Sequence, residues 1–314
     1  MNENPFYSKV LLFGEYSVIK NSQALAMPYH LFSGYLSFEA KESQMGGSHE
    51  SNAELKNFFL YVKHLKQSQK LPFDFDLTSF EFDVGQGLSF KSTIPQGYGV
   101  GSSGALTASL YDRYVLSRTE FEEDKNPQRI LNLKNDLALL ESAFHGKSSG
   151  FDPLLSYLDC PLLISSSEQI QPVNLPHSKN GAKGALFILN TKRSRKTEAL
   201  VNLFLEKLKQ ADFDRTCEDK LLPATNKCIT TFLEGDAESF VQEMESLSNW
   251  QFEYLKPMIP TLYQEKWEDG LNSKECFLKL CGAGGGGFLL GYAKDFEKYK
   301  MTLDNSEVRV LFKL

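Results

Sequence analysis

Apolar positions crowd the start of the chain. Lys9-Val-Leu-Leu-Phe13 is followed by a single Gly14-Glu15 interruption and then Tyr16-Ser-Val-Ile19. This reads as β structure broken once and turned at Asn21-Ser22. Residues 36–40 resume a strand, and the polar run at 42–51 predicts a surface loop. Leu55, Phe58, Phe59, Val62 and Leu65 recur at helical spacing, so an amphipathic helix is expected over 52–68. Residues 72–77 alternate with period 2, and 80–84 and 88–93, around Gly85-Gln86-Gly87, predict a hairpin. A strand, a glycine-rich loop and a helix follow in turn from Ile94. A second helix is expected at about 128–145, with Ile130, Leu133, Leu137, Leu140 and Phe144 on one stripe. The polar segment 166–182 is the best boundary in the chain. Beyond it lie a strand at 185–189, a helix at 196–209 and a helical middle. Strands at 276–280 and 288–292 flank Gly282-Ala-Gly-Gly-Gly-Gly287, and a last strand covers 307–313.

The chain has 314 residues, so two domains are the starting expectation. Its 34 basic and 40 acidic residues give a net charge of −6, which argues against general nucleic-acid binding. No apolar run is long enough to predict a membrane helix, and the first residues lack the basic and long apolar regions of a signal peptide. Five scattered cysteines with no C-x-x-C pair predict neither a disulfide framework nor a zinc site, and fit a reducing cytoplasm.

The loop Pro95-Gln-Gly97-Tyr-Gly99-Val-Gly101-Ser102-Ser103-Gly104 carries the first chemical signal. Glycines allow close backbone approach to a ligand. The helix that follows offers unpaired N–H groups and partial positive charge, which suit phosphate. A plain glycine turn with a serine cap is the alternative. No lysine follows as a Walker A loop requires. Gly99, Gly101 and Gly104 match G-x-G-x-x-G, but the acids about 20 residues on (Glu120, Glu122, Glu123, Asp124) sit in a polar connection and not at a strand end, against a dinucleotide fold. The second signal is Glu141-Ser-Ala-Phe-His-Gly-Lys-Ser-Ser-Gly-Phe-Asp152. Two acids near a nucleotide divide naturally into a Mg²⁺ ligand and a proton acceptor; a surface Glu and a helix-capping Asp are the plain alternative. The third is the glycine run 282–287, which reads as close approach to a ligand or to the first loop.

Three segments, in this order, resemble motifs of the GHMP kinases: KVLLFGEYSVIKNSQALAMP, PQGYGVGSSGAL and LCGAGGGGFLL. Within that superfamily ESAFHGKSSGFDPLLS and ILNTKRSRKTEALV are most similar to mevalonate kinase. The resemblance implies an α+β fold of two domains. Residues 1–182 would form an ATP-binding domain like ribosomal protein S5 domain 2, and residues 183–314 a ferredoxin-like domain. It implies ATP on the 95–104 loop, with Mg²⁺ held by Glu141 and Ser102 or Ser103. Asp152 becomes the catalytic base, with Lys9 beside it. Glu15, Tyr16, Thr197, Gly284 and Gly285 make the expected acceptor side. The implied partner is a small-molecule substrate, with no nucleic acid and no membrane, in a monomer or homodimer. The chain departs from the mevalonate kinase pattern at Tyr16, where His is usual and Tyr is typical of phosphomevalonate kinases, and at Ser148, where Pro is common. Lys147, Lys192, Arg193, Arg195 and Lys196 would either serve a more anionic acceptor or form a solvated face. A non-catalytic relative, and a decarboxylase acting on diphosphomevalonate, are the other outcomes.

Overall fold

The structure is a computed structural model and describes residues 4–38, 48–118, 126–166, 168–195, 197–303 and 308–314. The first sheet is built on one long strand. β2 (Ala24–Phe38) pairs antiparallel with β1 (Phe6–Phe13), β3 (Leu88–Ser92) and the short β4 (Leu162–Ile164). β4 in turn pairs with β5 (Ile170–Pro172). The second sheet has the order β7-β8-β6-β9, from β6 (Ala185–Asn190), β7 (Cys276–Leu280), β8 (Phe288–Ala293) and β9 (Val308–Lys313). Every strand pair described is antiparallel, which excludes the parallel sheet of a dinucleotide fold.

Helices α1 (Ser48–Gln67), α2 (Leu77–Gly85), α3 (Ser102–Tyr114), α4 (Pro127–His145) and α5 (Phe151–Leu158) accompany the first sheet. α1 buries Leu55, Phe58, Val62 and Leu65; α4 buries Ile130, Leu133, Leu137 and Leu140, the stripes that the spacing predicts. With the second sheet go α6 (Thr197–Leu208), α7 (Ala211–Thr216), α8 (Leu222–Glu234), α9 (Ala237–Tyr254), α10 (Thr261–Ser273) and α11 (Phe296–Lys300). Positions 182 and 183 lie between β5 and β6, where the chain passes from one sheet to the other. One hydrophobic cluster nevertheless draws on both sides: Val10, Leu12 and Phe13 share it with Phe187, Phe232, Phe240 and Leu289.

Four expectations are corrected. The predicted first strand of the 80–93 hairpin is helix α2. Asp76 caps it by accepting the Ser79 N–H, and Phe80 and Val84 are buried one turn apart while Phe82 is 65% exposed. The apolar alternation was a helical i, i+4 pair with one exposed aromatic between. Val18 and Ile19 are not strand either: they lie in a 3₁₀ turn (Ser17–Lys20), 38% and 40% exposed. Gly14 (φ 112°) and Tyr16 (φ 63°) turn the chain away from β1 first. The strand expected from residue 36 instead begins at Ala24. Of the expected 42–51 loop, residues 42–47 lie outside the described residues and Ser48 opens α1.

Candidate active site

The expected base and its neighbour meet. Lys9 Nζ is 3.1 Å from Asp152 Oδ1, with side chains 13% and 36% exposed. β1 delivers the lysine, and its backbone N–H donates to the Val100 carbonyl at 2.9 Å, tying strand to glycine loop. Asp152 sits in the first turn of α5, behind Gly150, whose φ of 78° sets the entry. A carboxylate is favoured at such a helix start.

Two glycines explain why the loop can lie against this pair. Gly101 (φ 82°) precedes α3, and a Cβ there would come within 3.2 Å of Lys9 Cγ and 3.6 Å of Asp152 Oδ2. At Gly104 a Cβ would press on Asp152 C at 2.8 Å and Pro153 N at 2.9 Å, so the α3–α5 contact has room for no side chain. Ser102 opens α3 and is partly exposed. Ser103 Oγ donates to Glu141 Oε1 at 2.9 Å, and the Ser148 hydroxyl donates to Glu141 Oε2. Glu141 is buried near the end of α4. This oxygen-only donor set fits Mg²⁺, which takes few protein carboxylates and completes its shell with phosphates and water.

Arg195 sits between the two glycine loops. Its N–H donates to the Gly97 carbonyl at 2.9 Å. Its guanidinium Nη1 donates to the carbonyls of Cys281 at 3.1 Å, Gly284 at 3.2 Å and Gly286 at 3.4 Å. The guanidinium occupies the space over Gly99 and Gly282 where a Cβ would stand. Burial pushes its pKa down from the ordinary arginine value, and Cys281, Tyr16 and Asp152 pull it partly back. Nε is buried and has no hydrogen-bond partner among the described residues. The sequence offered Arg195 only as one member of a basic run. Lys192 and Arg193 of that run are exposed, as is Lys147 in the turn after α4, and residue 196 lies outside the described residues.

The expected acceptor-side residues disperse. Glu15 is turned inward: its side chain is 2% exposed and accepts Gln251 Nε2 at 2.5 Å and Lys279 Nζ at 2.8 Å. Burial raises its pKa above the ordinary value, against the lowering pull of Lys279 and Gln251. Lys279 is fully buried and also donates to the Leu280 carbonyl at 2.7 Å. Gln251 closes the network by accepting the Leu280 N–H at 2.8 Å. Tyr16 stacks on Phe204 (centroids 4.5 Å apart), and its hydroxyl donates to the Ala283 carbonyl at 2.6 Å. Gly284 and Gly285 pack on Met258 and Leu200, while Thr197 is exposed at the start of α6. A lysine inside the otherwise apolar strand CFLKL was the readable sign of a buried partner. The acids at 120–124 lie outside the described residues.

No family model matches the chain. Over 313 residues it is 26% identical to the mevalonate kinase of Pyrococcus horikoshii, covering 91% of this chain and 87% of that protein. The mevalonate kinase of Pyrococcus abyssi is 25% identical over 312 residues, with the same coverage. Among solved structures, Leishmania major mevalonate kinase in complex with R-mevalonate superposes with a TM-score of 0.59 at 17% identity, over 96% of this chain and 89% of that one. Streptococcus pneumoniae phosphomevalonate kinase in complex with phosphomevalonate and AMPPNP gives 0.62 at 16% identity, over 99% of each. Relatives of this reach support a GHMP-type kinase similar to mevalonate kinase, an ATP-dependent phosphotransferase, and the solved structures show that the chain shares their fold.

Proposed function

We propose that the chain phosphorylates the hydroxyl of mevalonate, with Asp152 as base and Lys9 as its charge partner. The observation that carries the reading is the 3.1 Å Lys9–Asp152 pair lying against Gly101 and Gly104. In this reading the triphosphate lies along the 95–104 loop, held by the first N–H groups of α3 and the Ser102 and Ser103 hydroxyls. Glu141 and Ser103 hold Mg²⁺, which supplies neutralisation of charge on the phosphate oxygens. The acceptor hydroxyl forms a bond to the γ-phosphorus as the bond to the ADP leaving oxygen breaks. Its proton passes to Asp152, and Lys9 stabilises the oxygen as negative charge develops on it. Arg195, whose guanidinium is held by backbone carbonyls of the second glycine loop, braces that loop against Gly99 of the first.

The first experiment is ADP release with Mg-ATP across mevalonate, phosphomevalonate, diphosphomevalonate, galactose and homoserine. Turnover on mevalonate is expected. Turnover on phosphomevalonate alone would favour the second reading, a phosphomevalonate kinase. Two observations point that way: the Tyr16 hydroxyl is already committed to Ala283, and the cations Lys192 and Arg193 lie exposed after β6. Asp152→Asn tests the chemistry in either case. ATP binding should survive and turnover should disappear, and normal turnover would refute the base.

A further inference from the structure

Ser148 stands between the two acids of the site, in the turn joining α4 to α5. Its hydroxyl donates to Glu141 Oε2 and accepts the Gly150 N–H at 2.9 Å. Its own N–H donates to Ser142 Oγ at 3.2 Å, and Ser142 Oγ donates back to the Ala138 carbonyl of α4 at 2.7 Å. The turn is thereby fastened to the helix that carries Glu141. On the other carboxylate oxygen the Ser103 hydroxyl of α3 donates at 2.9 Å. Glu141 is held across both oxygens by two different elements. Gly150, the residue that Ser148 accepts from, caps α5 two positions before Asp152.

Resting on the reading of Glu141 as a metal-side carboxylate, we propose that Ser148 is a positioning residue for Mg²⁺. Its hydroxyl fixes the plane of the Glu141 carboxylate and, through Gly150, ties that plane to the turn that presents Asp152. The terminal torsion of a glutamate is broad, so one hydroxyl on one oxygen leaves the carboxylate free to swing. A second donor on the opposite oxygen removes that freedom. Mg²⁺ demands near-octahedral geometry at short distances, so it tolerates a misaimed ligand poorly. Hydrogen-bond partners behind a metal ligand typically matter about 10–100-fold in metal affinity or activity. The chain-specific feature is the hydroxyl itself: the turn positions it, and a side chain with no donor could not serve Oε2.

The test is Ser148→Ala in the full chain, with AMPPNP binding followed by calorimetry while Mg²⁺ is titrated. The Mg²⁺ midpoint is expected to rise about 10-fold, with metal-free AMPPNP binding unchanged, and Ser148→Thr is expected to restore it. An unchanged midpoint in Ser148→Ala overturns the proposal. So does a shift that Ser148→Thr fails to reverse, which would reveal packing as the cause. A fall in kcat with the midpoint unmoved also overturns it, because Ser148 would then act on Asp152 alone. Glu141→Gln, run in parallel, separates the two readings. If it too leaves the midpoint unmoved, the metal role of Glu141 fails with the proposal. If Glu141→Gln shifts the midpoint and Ser148→Ala does not, only the role of Ser148 fails.

Discussion

The two glycine-rich loops have similar composition and opposite surroundings. The first, from Gly97 to Gly104, runs into α3 and lies against Lys9 and Asp152. It is followed by a helix start, where N–H groups lack intrahelical partners. The second, from Gly282 to Gly287, runs into strand β8 and is crowded by the chain's own carbonyls at Met258, Arg193 and Tyr98. Its inward groups are carbonyls, and three of those from Cys281 to Gly286 hold Arg195. The first loop lies against Lys9 and Asp152 as well as the Arg195 guanidinium, whereas the second binds that guanidinium through its carbonyls. Glycine density alone does not separate these uses. The element that follows does, because a helix start leaves N–H groups unpaired whereas a strand pairs them at once.

That contrast can be broken in four places. The largest effect is expected beneath the second loop. Lys279→Met leaves Glu15 buried without its cation, at a cost of about 3–5 kcal/mol. The double variant with Glu15→Gln should recover most of it in denaturant unfolding, and a double variant as unstable as the single would deny the pairing. Beneath the first loop, Lys9→Met should slow turnover by about 10²–10³-fold, or about 3–4 kcal/mol. Its melting temperature should hold, since Asp152 remains partly in water; a matching loss of stability would make Lys9 structural. The glycines sharpen the contrast further. Gly287→Ala sets a Cβ against the Tyr98 backbone at a φ of 69° and should cost about 2 kcal/mol of stability. Gly104→Ala should instead cut turnover about 10-fold (about 1.4 kcal/mol) by displacing Asp152, with an unfolding penalty of about 1 kcal/mol, smaller than that at Gly287. The reverse pattern would sink the distinction between the loops.

The smallest effect lies away from both loops. Burial raises the Asp136 carboxyl to about 6. Its folded-state pKa therefore exceeds its unfolded one, so the native state binds the proton more tightly. Stability from this group is present at low pH and is lost as pH rises through about 6. Asp136→Asn should stabilise the protein by about 1 kcal/mol at pH 8, discounted for partial solvation, and by almost nothing near pH 4. A gain equal at both pH values would mean that charge is not the cause.

The helices with one apolar stripe, α1 and α4, were legible because a 3.6-residue period marks which face is buried. α2 was not, because Phe80, Phe82 and Val84 alternate like a strand, and only the Asp76 cap and the exposure of Phe82 settle the period. The Lys9–Asp152 pair became an expectation only through family likeness, since nothing local in a lysine at a strand start foretells a partner 143 positions away (152 − 9). The inward turn of Glu15, the seat of Arg195 and the clamp by Ser148 were hidden for the same reason. Each depends on which distant backbone comes alongside, and periodicity carries no record of that.

The joint between Glu15, Gln251 and Lys279 also sets an order in time. Glu15 is 236 positions from its amide partner and 264 from its cation. At about 5–20 residues per second of synthesis, the acid waits roughly 10–50 s before either emerges from the ribosome. Until then it stays hydrated, because dehydrating a lone carboxylate is too costly. The loop that holds Arg195 is made later still, after Lys279. A growing chain therefore carries Lys9 from its start and Asp152 from near its midpoint without the loop that holds Arg195, which is made only near the end.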